Sequence, residues 1–246
     1  MLLLLLGIGF ASGFISGLLG LGGGSIRIPL LNLIGFPLIF AYGMNFFTIP
    51  VSCSMGAYTQ RENFDSTFGS SMAIGGSIGM LMGTAVTFWL SASALSMAIM
   101  FVVVSILAVV GMNLNHIAPH LSNELSPSRR VVALATFGAN TLAAMKGGSG
   151  ASLYGPLLKT FKVNIHRAIA TSLFVATITS TIGVFLYWSQ GQLLLIEGLA
   201  VLVGSLLGSR VGSLLSLDTE SKWLEVGLSV AVVALASITL LKALFA

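Results

Sequence analysis

The chain has 246 residues, of which 56% are hydrophobic and 7% charged, with a mean hydropathy of +1.01; a soluble domain carries roughly 25% charged residues, so a water-soluble globule is excluded and an integral membrane protein is expected. Eleven Lys and Arg against seven Asp and Glu leave a net charge of +4, and the basic residues stand mostly between apolar segments, where they orient a membrane protein and form no nucleic-acid surface. The single Cys53 excludes an intrachain disulfide and a thiolate metal cluster.

In chain order, the apolar stretches run at about 1–21, 25–40, 41–59, 66–90 and 93–114, then at about 130–145, 150–161, 167–188, 192–216 and 222–245, each long enough for a span or a half-span. Met1 to Leu6 has the look of a signal-peptide core but no basic leader, and it aligns with the second half, so it reads as mature structure. Between the halves, Asn115 to Arg130 holds Pro119, Pro127 and charged residues, a polar linker. The expected organisation is a first repeat over 1–114, a cytoplasmic linker over 115–129 and a second repeat over 130–246, all in one membrane domain.

Duplication is visible in the residues. Gly22, Gly23 and Gly24 precede Pro29-Leu30-Leu31; Gly147, Gly148, Ser149 and Gly150 precede Pro156-Leu157-Leu158, at an offset of 127 residues. That offset also carries Ala41, Gly43 and Asn45 onto Ala168, Ala170 and Ser172, and an offset of 129 carries Gly79 and Gly83 onto Gly208 and Gly212. Glycine and proline inside an apolar span leave backbone groups unpaired, which hydrocarbon cannot satisfy. Paired interruptions in two halves point to a transporter's substrate site.

A break of this kind is either a broken helix that continues across the bilayer or a hairpin that returns to its own side. Only the hairpin puts Arg61, Arg129, Arg130, Lys159, Lys162, Arg167 and Lys222 on one face, leaving loops 33–40, 91–93 and 189–192 without Lys or Arg. The positive-inside rule therefore predicts an all-α membrane protein of two inverted repeats. Each repeat has a glycine-broken re-entrant or short-helix hairpin plus about three transmembrane helices, with basic loops cytoplasmic and both termini outside.

The candidate substrate-binding residues cluster at these breaks. At Gly22, Gly23, Gly24, Ser25 and at Gly147, Gly148, Ser149, free N–H groups and a helix macrodipole can hold an anion. Arg27 and Lys146 are cations inside apolar stretches with no acidic residue nearby in sequence; such a charge is tolerated when it faces a cavity or a partner, and an anionic substrate is the natural partner. The competing reading is that they snorkel or bond backbone carbonyls. Asn45 and Ser172, at equivalent places, can donate hydrogen bonds, with Asn140 and Thr171 nearby. The glycines at 75, 79, 83 and at 204, 208, 212, four apart, read as helix-packing residues. Arg210 reads as a snorkelling anchor, and Trp89, Trp188 and Trp223 as an aromatic belt. His116 and His120 flank Pro119 without a third ligand, so no metal is expected.

The run Gly17-Leu18-Leu19-Gly20-Leu21-Gly22-Gly23-Gly24, then Pro29 and Ala41-x-Gly43, with a degenerate copy through Gly147-Gly148, Pro156 and Ala168-x-Ala170-Thr171-Ser172, resembles the sulfite exporter TauE/SafE family over nearly the whole chain. The resemblance implies a bacterial or archaeal inner-membrane permease for sulfur-containing or organic anions such as sulfite, sulfoacetate or related sulfonates. The chain departs from the family pattern at Arg27, where an apolar residue is more usual, and at Lys146 and Ser149.

The function expected is secondary transport, as an exporter, of such an anion, bound between the two hairpins and moved by alternating access. An anion channel built on the same basic site is the alternative. The glycine run lacks the Gly-Lys-Ser/Thr ending of a phosphate loop, and no nucleophile and base pair stands in a span, so no enzymatic activity, catalytic residue or cofactor is expected. The partners are a small anionic substrate and the lipid bilayer, with no nucleic acid; the residues leave open a coupling ion, proton or sodium, and a homo-oligomer.

Overall fold

In the computed structural model, residues 1–19, 23–112, 128–150, 153–154, 157–158, 163–216, 234 and 237–244 are described. They form helices and turns, with no strand among them. The elements are α1 (Leu2–Leu19), α2 (Gly24–Leu33), α3 (Leu38–Thr59), a 3-10 turn (Arg61–Asn63), α4 (Ser66–Leu90), α5 (Ala94–Met112), α6 (Arg129–Met145), α7 (Ile165–Ser189) and α8 (Leu195–Ser216). Residues 237–244 are also helical. Four of these helices are long and apolar enough to cross a membrane, over Leu38–Tyr58, Ser66–Leu90, Arg167–Ser189 and Leu195–Gly212. The protein is a multi-pass membrane protein.

Local chemistry sets the helix ends. The Asp65 carboxylate accepts from Thr67 N at 2.9 Å and Phe68 N at 3.4 Å to start α4, and Ser128 Oγ accepts from Val131 N at 3.3 Å to start α6; both are side-chain N-caps. The apolar stretch read as 25–40 is divided, because Gly35 takes φ +112° and Pro37 is extended, so α2 stops and α3 starts on either side of them. The linker read at 115–129 lies outside the described residues except for Ser128 and Arg129, which already belong to the start of α6.

Glycine seams interlock the two halves. A methyl group on Gly75, Gly79 or Gly83 of α4 would overlap the carbonyl oxygens of Ala133, Phe137 and Thr141 of α6, and one on Gly204 or Gly208 of α8 would overlap those of Leu6 and Phe10 of α1. The absent side chains let the backbones touch, the packing mode of small residues in membranes. Residue numbers rise together along both seams, so α4 runs parallel to α6 and α8 to α1. The α3–α7 crossing is antiparallel: Phe46 meets Gly183 and Tyr187, whereas Gly56 meets Leu173.

These directions place Arg61, Arg129, Arg130 and Arg167 at one end of the bundle. There Arg167 Nη1 lies 3.8 Å from the Asp65 carboxylate, Asp65 N donates to Thr171 Oγ1 at 3.0 Å, and Phe64 packs on Phe174 with centroids 4.5 Å apart. At the other end stand Gly43 against the Gln192 carbonyl, the Lys242 ammonium donating to the Asn32 carbonyl, and the exposed Trp89 and Trp188, as an aromatic belt would place them. Trp223, His116 and His120 lie outside the described residues.

Candidate functional site

Where α2 begins, the Gly23 carbonyl accepts from Ile26 N at 3.2 Å and Arg27 N at 2.9 Å, turning the chain into a helix without a side-chain cap. The turn sends Arg27 into the protein, where it is 4% exposed. Its Nη1 donates to Asn45 Oδ1 at 2.8 Å and to Thr48 Oγ1, its Nη2 to Ser205 Oγ at 2.6 Å, and its Nε to Ser12 Oγ at 3.3 Å. All four partners are neutral. A guanidinium has five N–H donors, so one, on Nη2, is left unclaimed by the described residues.

The second break has the geometry of a Schellman cap. Gly147 N donates to the Ala144 carbonyl and Gly148 N to the Ala143 carbonyl, both at 2.9 Å, the two bonds that close a helix through a left-handed residue. Gly147 supplies that conformation, with φ +76°, and any side chain there would also enter the Tyr42 ring. Gly148 is under no such constraint, since the nearest atom to an added methyl would be 3.7 Å away. Lys146 caps α6, where a cation complements the negative end of the helix dipole. Its Nζ crosses to the first break and donates to Ser25 Oγ at 3.1 Å.

Asn45 joins the breaks. Its Oδ1 accepts from Arg27 and its Nδ2 donates to the Gly147 carbonyl at 2.8 Å, while Gly24 leaves room for it, an added methyl falling 2.5 Å from that nitrogen. Asn140 does similar work beneath the second break: Nδ2 donates to the Gly76 carbonyl, and Oδ1 accepts from Gly150 N, both at 2.6 Å. Ser149 is buried within the break.

The fold thus brings Gly23, Gly24, Ser25, Arg27, Asn45, Lys146, Gly147, Gly148 and Ser149 together, while Gly22 lies outside the described residues. Ser172 is buried but outside this network, its hydroxyl without a partner among the described residues. Thr171 serves the Asp65 contact at the basic end instead, and Arg210 is exposed. Sequence reasoning missed Ser12, Thr48 and Ser205. Thr48 carried a signal, standing one helical turn from Asn45; Ser12 and Ser205 sit beside glycines in apolar helices, where a small hydroxyl residue carries no distinct signal.

Two buried cations therefore meet at the breaks, Lys146 bonding Ser25 directly and Arg27 reaching Gly147 through Asn45, and among the described carboxylates, Glu62, Asp65 and Glu197, none pairs with either. The family described as Sulfite exporter TauE/SafE matches residues 5–237 of the chain. The chain belongs to the TauE/SafE family. Its members are membrane transporters of sulfur anions, so this polar centre inside an apolar bundle sits in a TauE/SafE permease. No curated protein and no solved structure matches the chain.

Proposed function

We propose that the protein exports a small sulfur-containing or organic anion, such as sulfite, sulfoacetate or another sulfonate, held between the two glycine breaks. The observation that carries this reading is the pair Arg27 and Lys146, buried cations whose hydrogen-bond partners among the described residues are all neutral. A buried charge is costly without a counter-charge, and an anion entering the centre supplies one. Lys146 makes the more direct contact: an ammonium has three donors, and one is used on Ser25. Arg27, pinned by four hydrogen bonds, offers the one N–H that no described residue takes and a fixed positive field.

Alternating access follows from two inverted repeats, 1–114 and 130–246. The antiparallel crossing of α3 and α7 supports this arrangement, as does the entry of α1 and α6 from opposite ends. The end bearing Arg61, Arg129, Arg130 and Arg167 is then cytoplasmic. Purified protein in a sulfite and sulfonate binding screen tests the reading. Lys146→Gln, losing charge-assisted bonds of about 1.5–3 kcal/mol, weakens anion binding roughly tenfold to a hundredfold; unchanged affinity in a folded variant would sink it. The topology is tested by an impermeant thiol reagent, which labels S128C and K162C from the cytoplasm and Q190C from outside.

A further inference from the structure

The end of α6 leaves a backbone oxygen that the second break does not use. The capping bonds occupy the Ala143 and Ala144 carbonyls, whereas the Met145 carbonyl, one residue on, accepts from no backbone N–H among the described residues. Thr87 of α4 faces this end. Its Oγ1 lies 3.5 Å from the Ala144 oxygen and 3.5 Å from the Met145 oxygen, while its single proton points along its own helix to the Gly83 carbonyl at 2.9 Å. Thr87 and Ala144 are fully buried.

Thr87 Oγ1 thus meets two carbonyl oxygens with no proton well placed between them, since 3.5 Å is the outer limit of a hydrogen bond and a hydroxyl has one proton to give. A carbonyl inside a membrane bundle needs a positive partner. Two phenol oxygens are close by. The Tyr187 hydroxyl faces Thr87, and the Tyr42 hydroxyl, which has Tyr187 as a neighbour, finds no hydrogen-bond partner among the described residues. The Tyr42 ring also lies against Gly147, so the cluster borders the break that carries Lys146.

All of these groups are neutral oxygens. Divalent ions are held chiefly by carboxylates, and none is described here; a phenol, with a pKa near 10, does not carry protons at neutral pH. A hard monovalent cation fits the donor set. Oxygens 3.5 Å apart subtend about a right angle at an ion about 2.4 Å from each, as neighbouring ligands do in an octahedral shell. The helix adds about half a negative charge at its C-terminal end, and carbonyls at such helix ends bind sodium in transporters with interrupted helices.

We propose that a sodium ion binds at the end of α6, on Thr87 Oγ1 and the Ala144 and Met145 carbonyl oxygens, and that this ion and the anion at Lys146 strengthen each other's binding. The coupling rests on the transport reading above; the sodium site does not. Lys146 follows Met145 directly, so its charge opposes the ion until an anion neutralises it, which makes the coupling positive.

The test is binding of radioactive sodium to the purified full-length protein in choline chloride, followed by calorimetric titration of sulfite in sodium chloride and in choline chloride. Wild type binds sodium saturably, and unlabelled sodium displaces it far better than potassium or choline does. Thr87→Val, which keeps the shape but loses the oxygen, weakens sodium binding about tenfold; Thr87→Ser, which restores the oxygen, recovers it. Sulfite binds at least about fivefold more tightly in sodium than in choline, the lower end of coupling between sites, and Thr87→Val abolishes that gain. No saturable sodium binding, displacement by choline as effective as by sodium, or unchanged binding in a folded Thr87→Val overturns the site, and equal sulfite affinity in the two salts overturns the coupling. Should Thr87→Val fail to fold, the cation selectivity of wild type decides. Wild type that binds sodium but neither sulfite nor a sulfonate defeats the transport reading and leaves the sodium site standing; wild type that binds sulfite but no sodium does the reverse.

Discussion

Arg27 and Tyr154 occupy equivalent backbone positions, yet their surroundings differ at every contact that matters. Around Arg27 stand Ser12, Asn45, Thr48 and Ser205; at the corresponding offsets the second half has Ala139, Ser172, Val175 and Gly76. Three of four polar groups have become apolar or vanished where the cation is replaced by a phenol. The difference teaches that the polar shell belongs to the charge and not to the fold, because a buried guanidinium must find an acceptor for nearly every N–H. The glycine seams, by contrast, recur in both halves, since they serve backbone packing that does not depend on the site.

The seams give the largest expected effect. Gly79→Leu on α4 and Gly208→Leu on α8 push a side chain into the backbone of α6 and α1 respectively, and each costs at least about 3 kcal/mol, the upper end of overpacking penalties. Thermal denaturation in detergent should show both falling together. A tolerant Gly208→Leu beside an unfolded Gly79→Leu would break the equivalence of the halves.

The shell comes next. Arg27→Met takes a donor away from four polar groups, although Ser12 and Thr48 keep bonds to backbone carbonyls, and should lose about 1–3 kcal/mol in the same assay, whereas Tyr154→Phe should lose less than about 1 kcal/mol. Adding Ser12→Ala, Thr48→Val and Ser205→Gly to Arg27→Met borrows the second-half surroundings and should recover part of the loss without restoring anion binding. Absence of any recovery would mean that the shell has a role beyond serving Arg27.

Within the second break, Gly147→Ala must hold a methyl group at φ +76° against the Tyr42 ring, at a cost of about 1–3 kcal/mol. Gly148→Ala, whose methyl would make only an ordinary 3.7 Å contact with the Ala143 carbonyl, should be neutral or slightly stabilising by about 0.4–1 kcal/mol. The smallest effect is at the basic end. Asp65→Asn keeps the α4 cap but removes the contact to Arg167, whose side chain is 62% exposed; a loss under about 1 kcal/mol is expected, read as a shift of the unfolding midpoint that shrinks further in high salt.

Much of the candidate site was legible because its signals are local. Gly147 and Gly148 interrupt an apolar run, and Arg27 and Lys146 are charges where hydropathy forbids them, so each announces itself within a few residues. The partners of Arg27 were not legible in this way. Ser12 and Ser205 are small residues among small residues, and a hydroxyl in a membrane helix most often bonds its own backbone, as Thr87 does to the Gly83 carbonyl at 2.9 Å and Thr136 to Val132 at 2.7 Å.

Sequence alone therefore determined that this chain lives in a bilayer, that glycine, proline and polar positions recur at an offset of 127 residues, and that two cations without carboxylate neighbours lie at its glycine breaks, because hydropathy, glycine and charge act over one or two helical turns. The tertiary structure decided that α1 locks onto α8 and α6 onto α4, that Lys146 reaches Ser25 across 121 residues, and that Arg27 reaches Ser205 across 178. It also left the Ser172 hydroxyl buried without a partner among the described residues. Hydrogen-bond satisfaction is a property of which helices meet, and that depends on backbones approaching where glycine removes the side chain, a choice that no stretch of sequence makes by itself.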